Sequence, residues 1–101
     1  MRVELLYFDG CPSYEALLPR VRELLAGLDA DAELELRRVE TDEAALRERF
    51  LGSPTLRVDG RDIEPGAAAR TDFGLKCRLY RVGGSLSPTP DQAWLESALA
   101  S

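Results

Sequence analysis

The sequence contains no histidine, only two cysteines and no long hydrophobic run. Without histidine, the chain lacks a common zinc ligand and the usual general base at neutral pH. Two cysteines, Cys11 and Cys77, are too few for a disulfide scaffold, and neither a signal peptide nor a membrane span is recognisable. We therefore predict a cytoplasmic protein that has no resident metal or other cofactor and does not associate with a membrane.

Basic residues are also in the minority. The chain has 13 Lys and Arg residues against 18 Asp and Glu residues, which gives a net charge of −5. Because no basic stripe is present to neutralise phosphates, nucleic acid and anionic membrane surfaces are not expected partners. A length of 101 residues, 45% of them hydrophobic, predicts one domain over residues 1–101 with a single modest core.

The hydrophobic pattern predicts an α/β protein with elements in the order β-α-β-α-β-β-α. We expect strands at residues 3–8, 33–39, 55–58 and 61–63. We expect helices at residues 12–28, 42–50 and 90–99, capped at Thr41 and Thr89 for the second and third. Two parallel β-α-β strands followed by a hairpin at Asp59-Gly60 predict a four-stranded mixed sheet with helices on both faces.

Residues 64–88 form an insertion before the last helix, and no regular pattern defines its structure. A connection of this length in a compact domain is usually functional or mobile. It carries Cys77, for which two interpretations stay open, a buried strand residue and a functional thiol. The neighbouring Arg78 and Arg81 are expected on a solvated, charged face; the alternative is that they attract an anionic substrate or lower the pKa of a nearby thiol.

Cys11 lies where the first strand gives way to the first helix, in the stretch Phe8-Asp-Gly-Cys-Pro-Ser-Tyr14. The unpaired N–H groups and positive dipole at a helix N-terminus stabilise an anion, and a cysteine thiolate is such an anion. Pro12 suits the first helical position, while Asp9-Gly10 predicts a surface turn rather than a buried site for Cys11. If the third strand pairs antiparallel beside the first, Pro54 lies next to Cys11.

These features resemble the thioredoxin-like superfamily over residues 3–63 and 89–100. Cys11-Pro-Ser-Tyr14 resembles the Cys-x-x-Cys turn of that superfamily, in the Cys-Pro style of glutaredoxins, with tyrosine in the place of the second cysteine. Ser53-Pro-Thr55 resembles its cis-proline segment, which faces the active cysteine and whose preceding backbone aligns an extended substrate. Pro19 matches the proline that bends the first active-site helix. The resemblance implies a thioredoxin-like fold.

The same resemblance implies a thiol-disulfide oxidoreductase that acts on protein or small-molecule thiols and disulfides. Cys11 is then the nucleophile, and the substrate-binding residues are Pro12, Ser53, Pro54 and Thr55. Because the turn has no second cysteine, the mixed disulfide needs another resolving group, either Cys77 or a small thiol such as glutathione.

Two alternatives without disulfide turnover stay open. Two thiolates, from Cys11 and Cys77, suit a soft metal or a mercurial. The chain also resembles small bacterial proteins with a Gly-Cys-Pro turn, a Ser-Pro-Thr segment before Val-Asp-Gly and a late Cys-Arg-Leu-Tyr stretch, some of which are labelled organomercurial lyases. That resemblance implies mercury binding by the two cysteines, with Asp9 as the acid. The other alternative is a degenerate thioredoxin fold that serves as a partner-docking module.

Overall fold

A computed structural model describes residues 1–27 and 32–100 of the chain. Its helices are α1 (Pro12–Ala26), α2 (Asp42–Arg47) and α3 (Gln92–Leu99), together with a 3₁₀ turn at Ala67–Ala69. Its strands are β1 (Arg2–Tyr7), β2 (Glu33–Arg38), β3 (Thr55–Val58), β4 (Arg61–Asp62), β5 (Tyr80–Val82) and β6 (Ser85–Ser87). Gly27, which the sequence predicts as the terminator of the first helix, is the C-cap residue of α1. Leu28, the last residue of the predicted apolar stripe, lies outside the described residues.

Strands β1 to β4 form the four-stranded mixed sheet that the sequence predicts, in the order β2-β1-β3-β4. Strand β1 is central: it runs parallel to β2 and antiparallel to β3, with Leu5 opposite both Leu36 and Leu56. Its nearly continuous apolar run suits a position buried on both faces. Strand β2 begins with alternating polar and apolar residues and lies at one edge of the sheet, where none of its residues is buried and four of the six are exposed.

The helices cover both faces of the sheet, as expected. On one face, Val3 and Leu5 of β1 belong to a core cluster with Leu17 of α1 and Leu95 of α3. On the other face, Leu6 packs with a second cluster that includes Ala45 of α2. Successive residues of a strand point to opposite faces, so β1 alone divides the core into these two layers.

Two helix boundaries differ from the prediction for reasons of tertiary structure. Helix α2 ends at Arg47 because Arg49 has a left-handed φ of 55° and the N–H of Phe50 donates to the carbonyl of Ala45. This closure moves Phe50 into the core instead of continuing the helix. Helix α3 begins after Asp91, whose carboxylate accepts a 2.9 Å hydrogen bond from a backbone N–H of the first turn. The hydroxyl of Thr89, the expected cap, instead accepts from the side chain of Arg20.

The insertion, residues 64–88, has defined structure. It contains the 3₁₀ turn and a hairpin in which β5 pairs antiparallel with β6 through Gly83-Gly84, both with positive φ. Between them, Cys77 forms an isolated parallel bridge with Ser53. The expectation for Arg81 is confirmed, but the one for Arg78 is wrong, since Arg78 is only 2% exposed.

None of the helices in the described part of the chain combines the length and hydrophobicity that a membrane span requires.

Candidate functional site

The turn between β1 and α1 presents Cys11 at a helix N-terminus, as predicted. Gly10 has a φ of +82°, which reverses the chain after the strand, and Cys11 is the extended N-cap residue of α1. Pro12 occupies the first helical turn and is exposed. Because the first N–H groups of a helix have no intrahelical acceptor, those of Ser13 and Tyr14 are the donors nearest in sequence to a Cys11 thiolate.

Cys11 is buried, which corrects the expectation from Asp9-Gly10. The turn does lie at the surface, since Asp9 and Gly10 are both exposed, but Cys11 itself is only 1% exposed. A free cysteine behaves as a small apolar side chain, and here it occupies a position on the inner side of the turn. The thiol of Cys11 is consequently shielded from large reactants.

Tyr14, which stands in the place of a second cysteine, stacks on Tyr7 at the end of β1. Their ring centroids lie 3.8 Å apart and the rings are nearly parallel, at 4°. Burial is the main cause that raises the pKa of Tyr14, and the neighbouring Tyr7 adds to it. The phenol therefore stays neutral near neutral pH, and the stacked pair fixes the first turn of α1 over β1.

The segment Ser53-Pro54-Thr55 lies at the same end of the central strands as the Cys11 turn, where β1 ends and β3 begins. Its Ser53-Pro54 peptide bond is cis, and all three residues are buried. Antiparallel pairing places Thr55 opposite Leu6, and the N–H of Phe8 donates to the Ser53 hydroxyl at 3.4 Å. The end of β1 and the start of β3 therefore come together, as the sequence predicts for an antiparallel third strand.

The backbone of Ser53 is already paired within the chain. Its N–H donates to the carbonyl of Lys76 at 2.8 Å, and its carbonyl accepts from the N–H of Arg78 at 2.9 Å. We call Lys76–Arg78 the Cys77 segment; it lies along Ser53 like an added parallel strand. No free donor or acceptor is left on the Ser53 backbone for an extended substrate, in contrast to what the resemblance implies.

Cys77 itself is exposed, which excludes the interpretation of a buried strand residue. The pairing with Ser53 brings the Cys77 backbone to the edge of the sheet at which the Cys11 turn also lies. The two cysteines thus belong to one region of the fold and differ in exposure, Cys11 being buried and Cys77 open to solvent.

A buried arginine holds the Cys77 segment in place. The guanidinium of Arg78 binds both oxygens of Asp62, at 2.7 and 3.0 Å, and one oxygen of Glu64 at 3.0 Å. It also donates to the hydroxyl of Thr55 at 3.0 Å and lies over the ring of Tyr80. These contacts connect the insertion to β3 and β4 through charge-assisted hydrogen bonds, which are the stronger kind.

Tyr80 adds a second attachment, since its hydroxyl donates to the carbonyl of Pro54. Burial raises the pKa of Tyr80 well above its ordinary value, so the hydroxyl keeps its proton and stays a donor. Neither Arg78 nor Tyr80 was a predicted site residue. The available signal was the pair of acids at positions 62 and 64, which precedes the arginine-containing stretch at positions 78–81 of the insertion.

Asp9, the acid in the lyase interpretation, is exposed and forms a 2.8 Å ion pair with Arg38. Comparisons with protein-family models, curated proteins and solved structures found no match to this chain. Within residues 1–27 and 32–100, no three His, Cys, Asp or Glu side chains converge as a metal site would require.

Proposed function

We propose that this protein has a thioredoxin fold and is a thiol-disulfide oxidoreductase with Cys11 as its nucleophile. One observation carries the proposal: Cys11 caps the N-terminus of α1 at the edge where β1 ends and the cis Ser53-Pro54 bond leads into β3. The strand order, with a parallel and an antiparallel neighbour on either side of β1, supports the fold. The separation of α1 and α3 from α2 by the sheet supports it as well.

The proposed reaction is an exchange between a thiolate and a disulfide. The Cys11 thiolate attacks one sulfur of a substrate disulfide, a mixed disulfide forms, and the other substrate sulfur leaves as a thiolate. If Cys77 resolves, its thiolate attacks the Cys11 sulfur, the substrate leaves as a thiolate, and a small thiol then reduces the Cys11–Cys77 disulfide in two further exchanges. If a small thiol resolves, it attacks the substrate sulfur, which regenerates the Cys11 thiolate and releases a disulfide of the small thiol and the substrate. The first turn of α1 supports the first step, because its N–H groups and dipole favour negative charge on Cys11.

The proposed substrates are small disulfides and thiols, such as glutathione. A polypeptide substrate that adds as a strand needs free backbone groups, and those of Ser53 are paired with the Cys77 segment. The 1% exposure of Cys11 also disfavours attack on a disulfide held in a protein surface. A small disulfide needs no backbone pairing, so the occupied backbone of Ser53 does not exclude it as a substrate.

Alkylation across a range of pH tests the nucleophile. Burial slows iodoacetamide labelling and also raises the pH at which a thiol ionises, whereas the N–H groups and dipole of a helix N-terminus act in the opposite direction. We expect Cys11 to reach half of its maximal rate at a lower pH than Cys77, with each site followed by peptide mass spectrometry. Coincident midpoints for the two cysteines would refute an activated Cys11.

Turnover assays test the activity and the substrate class. With dithiothreitol as the electron donor, we expect the wild-type protein to speed the reduction of a small disulfide, such as glutathione disulfide, and not that of insulin. Cys11→Ser should abolish turnover, because the attacking sulfur is lost. Cys77→Ser tells the two resolving routes apart in a single turnover without added thiol: this variant stops at the mixed disulfide on Cys11, whereas the wild type goes on to a Cys11–Cys77 disulfide only if Cys77 resolves. Retained activity in Cys11→Ser would overturn the proposal.

A second candidate function is the binding of a metal ion by thiolates, without disulfide turnover. It is favoured by two observations: Cys11 is buried, and the exposed Cys77 lies in the same region of the fold. Two thiolates suit a soft metal such as Hg²⁺ or Cu⁺. This candidate predicts one metal ion bound per chain, loss of binding in both single serine variants and no disulfide reduction by the wild type.

A further inference from the structure

Strand β2 leaves one edge of the four-stranded sheet open. Within the described residues it pairs only with β1, and the N–H groups of Glu33 and Val39 both donate to carbonyls of the residues that flank that strand or end it. Bonding residues alternate along a parallel ladder, so the N–H and C=O groups of Leu34, Leu36 and Arg38 point away from β1. In the described part of the chain, these outward groups have no backbone partner and can bond a further strand.

This edge is the more open of the two in the sheet. Strand β2 has six residues without a proline, in unbroken register with β1, whereas β4 at the opposite edge has only two. Natural edge strands are usually short, interrupted or covered, because free backbone groups invite pairing with another chain. Leu36, in the middle of β2, is 38% exposed, so a strand laid along this edge would bury apolar surface.

The charges of β2 are complementary to those of a second copy of the same strand. Its first half carries Glu33 and Glu35, and its second half carries Arg37 and Arg38. When two such strands lie antiparallel, the acidic half of each one faces the basic half of the other. Opposite charges directly across two strands stabilise their pairing, and like charges destabilise it. The charge pattern therefore favours a second copy of this chain as the occupant of the open edge.

One register satisfies both the backbone and the charges. The outward groups lie on alternate residues, and these must face one another, so the twofold axis has to pass through a residue of β2 rather than between two. An axis at Leu36 places Glu35 opposite Arg37 of the second copy, at two symmetric positions. These are non-hydrogen-bonded pairs, in which the side chains approach most closely. An axis at any other residue of β2 places like charges opposite each other, for example Glu35 opposite Glu35.

Both side chains of this pair keep an atom for a partner. Glu35 accepts from Arg2 through Oε2 at 2.9 Å, and Arg37 uses its two terminal nitrogens for Glu4 and Glu48, at 2.7 Å each. Within the described residues, Oε1 of Glu35 and Nε of Arg37 form no hydrogen bond and lie 3.9 Å apart. A second copy therefore extends the ion pairs of this face without breaking those already present.

We propose that the chain forms a twofold dimer in which β2 pairs antiparallel with β2 of a second copy, with Leu36 on the axis and Glu35 opposite Arg37. Backbone hydrogen bonds then join Leu36 to its own copy and Leu34 to Arg38, and the two sheets become one continuous sheet. The assembly closes at two chains, because each copy uses the same edge once. This interface is independent of the cysteine chemistry and does not rest on the proposed redox function.

Sedimentation equilibrium and amide hydrogen exchange test the dimer. We expect the mass of the wild-type protein to rise from one chain to two with concentration, and no further. In the dimer, the amides of Leu34, Leu36 and Arg38 should gain protection, whereas those of Glu35 and Arg37, which face β1, should change little. A monomer at up to about 1 mM protein, a mass above that of two chains, or protection gained elsewhere would overturn the proposal.

Glu35→Lys and Glu33→Lys are matched variants, since each reverses one exposed charge on the same face of β2. Glu35→Lys places a lysine opposite Arg37 at both symmetric positions and should weaken association at least about 10-fold, whereas Glu33 faces Val39 and its variant should have little effect. Leu36→Pro removes an N–H that points to solvent in the monomer, so the chain should fold but not dimerise. Equal weakening by the two lysine variants, or a Leu36→Pro dimer as stable as wild type, would contradict the proposed register.

Discussion

Arg78→Met tests whether the buried arginine holds the insertion against the sheet. Methionine retains an unbranched chain as long as that of arginine up to Nε, but it removes every charged hydrogen bond of a residue that is 2% exposed. The carboxylates of Asp62 and Glu64, whose side chains are only 14% and 11% exposed, then lose this partner. Glu64 retains Arg70, at 3.1 Å, whereas Asp62 has no other ion pair among the described residues.

The expected cost is large because only one side of a buried pair is removed. Such a change costs about 3–5 kcal/mol, since an uncompensated charge stays in the interior. A domain of this size has a total stability of about 5–15 kcal/mol. Arg78→Met should therefore lose a substantial fraction of the free energy of unfolding and lower Tm by at least about 12 °C.

Urea unfolding followed by circular dichroism measures this loss, and two further variants make it specific. Arg81→Met changes an exposed arginine of β5 and should alter stability by less than about 0.5 kcal/mol. Adding Asp62→Asn and Glu64→Gln to Arg78→Met should recover part of the loss, because neutral amides cost less to bury unpaired. A stability of Arg78→Met within about 1 kcal/mol of wild type would contradict the reasoning.

Three further changes probe the contacts around the site. Gly52→Ala should destabilise the protein more than Gly60→Ala does, although both glycines have positive φ. A Cβ at Gly52 would lie 2.9 Å from a carbonyl oxygen of the Cys77 segment, whereas a Cβ at Gly60 would meet no atom within 4 Å. Equal losses in thermal unfolding would argue against this close approach. Tyr80→Phe should cost about 1 kcal/mol and speed hydrogen exchange in the Cys77 segment, since the bond to the cis-proline carbonyl is lost. Unchanged exchange would show that this bond does not hold the segment. Hydrogen bonds from Arg70, the larger effect, and from Lys76 lower the pKa of Asp72 below its ordinary value of 3.8. The ionised Asp72 therefore stabilises the folded protein above this pH, and this stabilisation is lost as the pH falls towards the folded-state pKa. The stability gap between wild type and Asp72→Asn should therefore be largest near neutral pH and shrink below about pH 4, and a constant gap would refute the ion pair as its cause.

Local patterns were sufficient to predict most of the fold. The alternation in β2, the apolar run of β1 and the Asp59-Gly60 hairpin turn are properties of short stretches, and the structure contains each of them. The helix ends were less predictable where distant contacts decide them. Phe50 leaves α2 to join the core, and Asp91 rather than Thr89 caps α3 while Thr89 binds a side chain of α1.

The features of the candidate site likewise fall into those that the sequence predicts and those that it does not. The position of Cys11 at a helix N-terminus follows from the turn and the first-turn proline beside it, so the sequence predicts it. Its burial and the occupied backbone of Ser53 do not follow, because both depend on segments that are distant along the chain. Hydrogen bonds at such separations leave no local periodicity.

By itself, the sequence determined the order of the strands and helices outside the insertion, the mixed sheet with helices on both faces, and the place of Cys11 and Pro54 at one end of the central strands. Periodicity and turn chemistry act over a few residues, and antiparallel pairing of β3 with β1 then follows from the order of the elements. Only the tertiary structure decided that the insertion folds back, that Arg78 is buried and that the Cys77 segment covers Ser53. A charged side chain is buried only where it has charged or hydrogen-bonding partners, and the carboxylate partners of Arg78 lie 14 and 16 residues earlier in the chain.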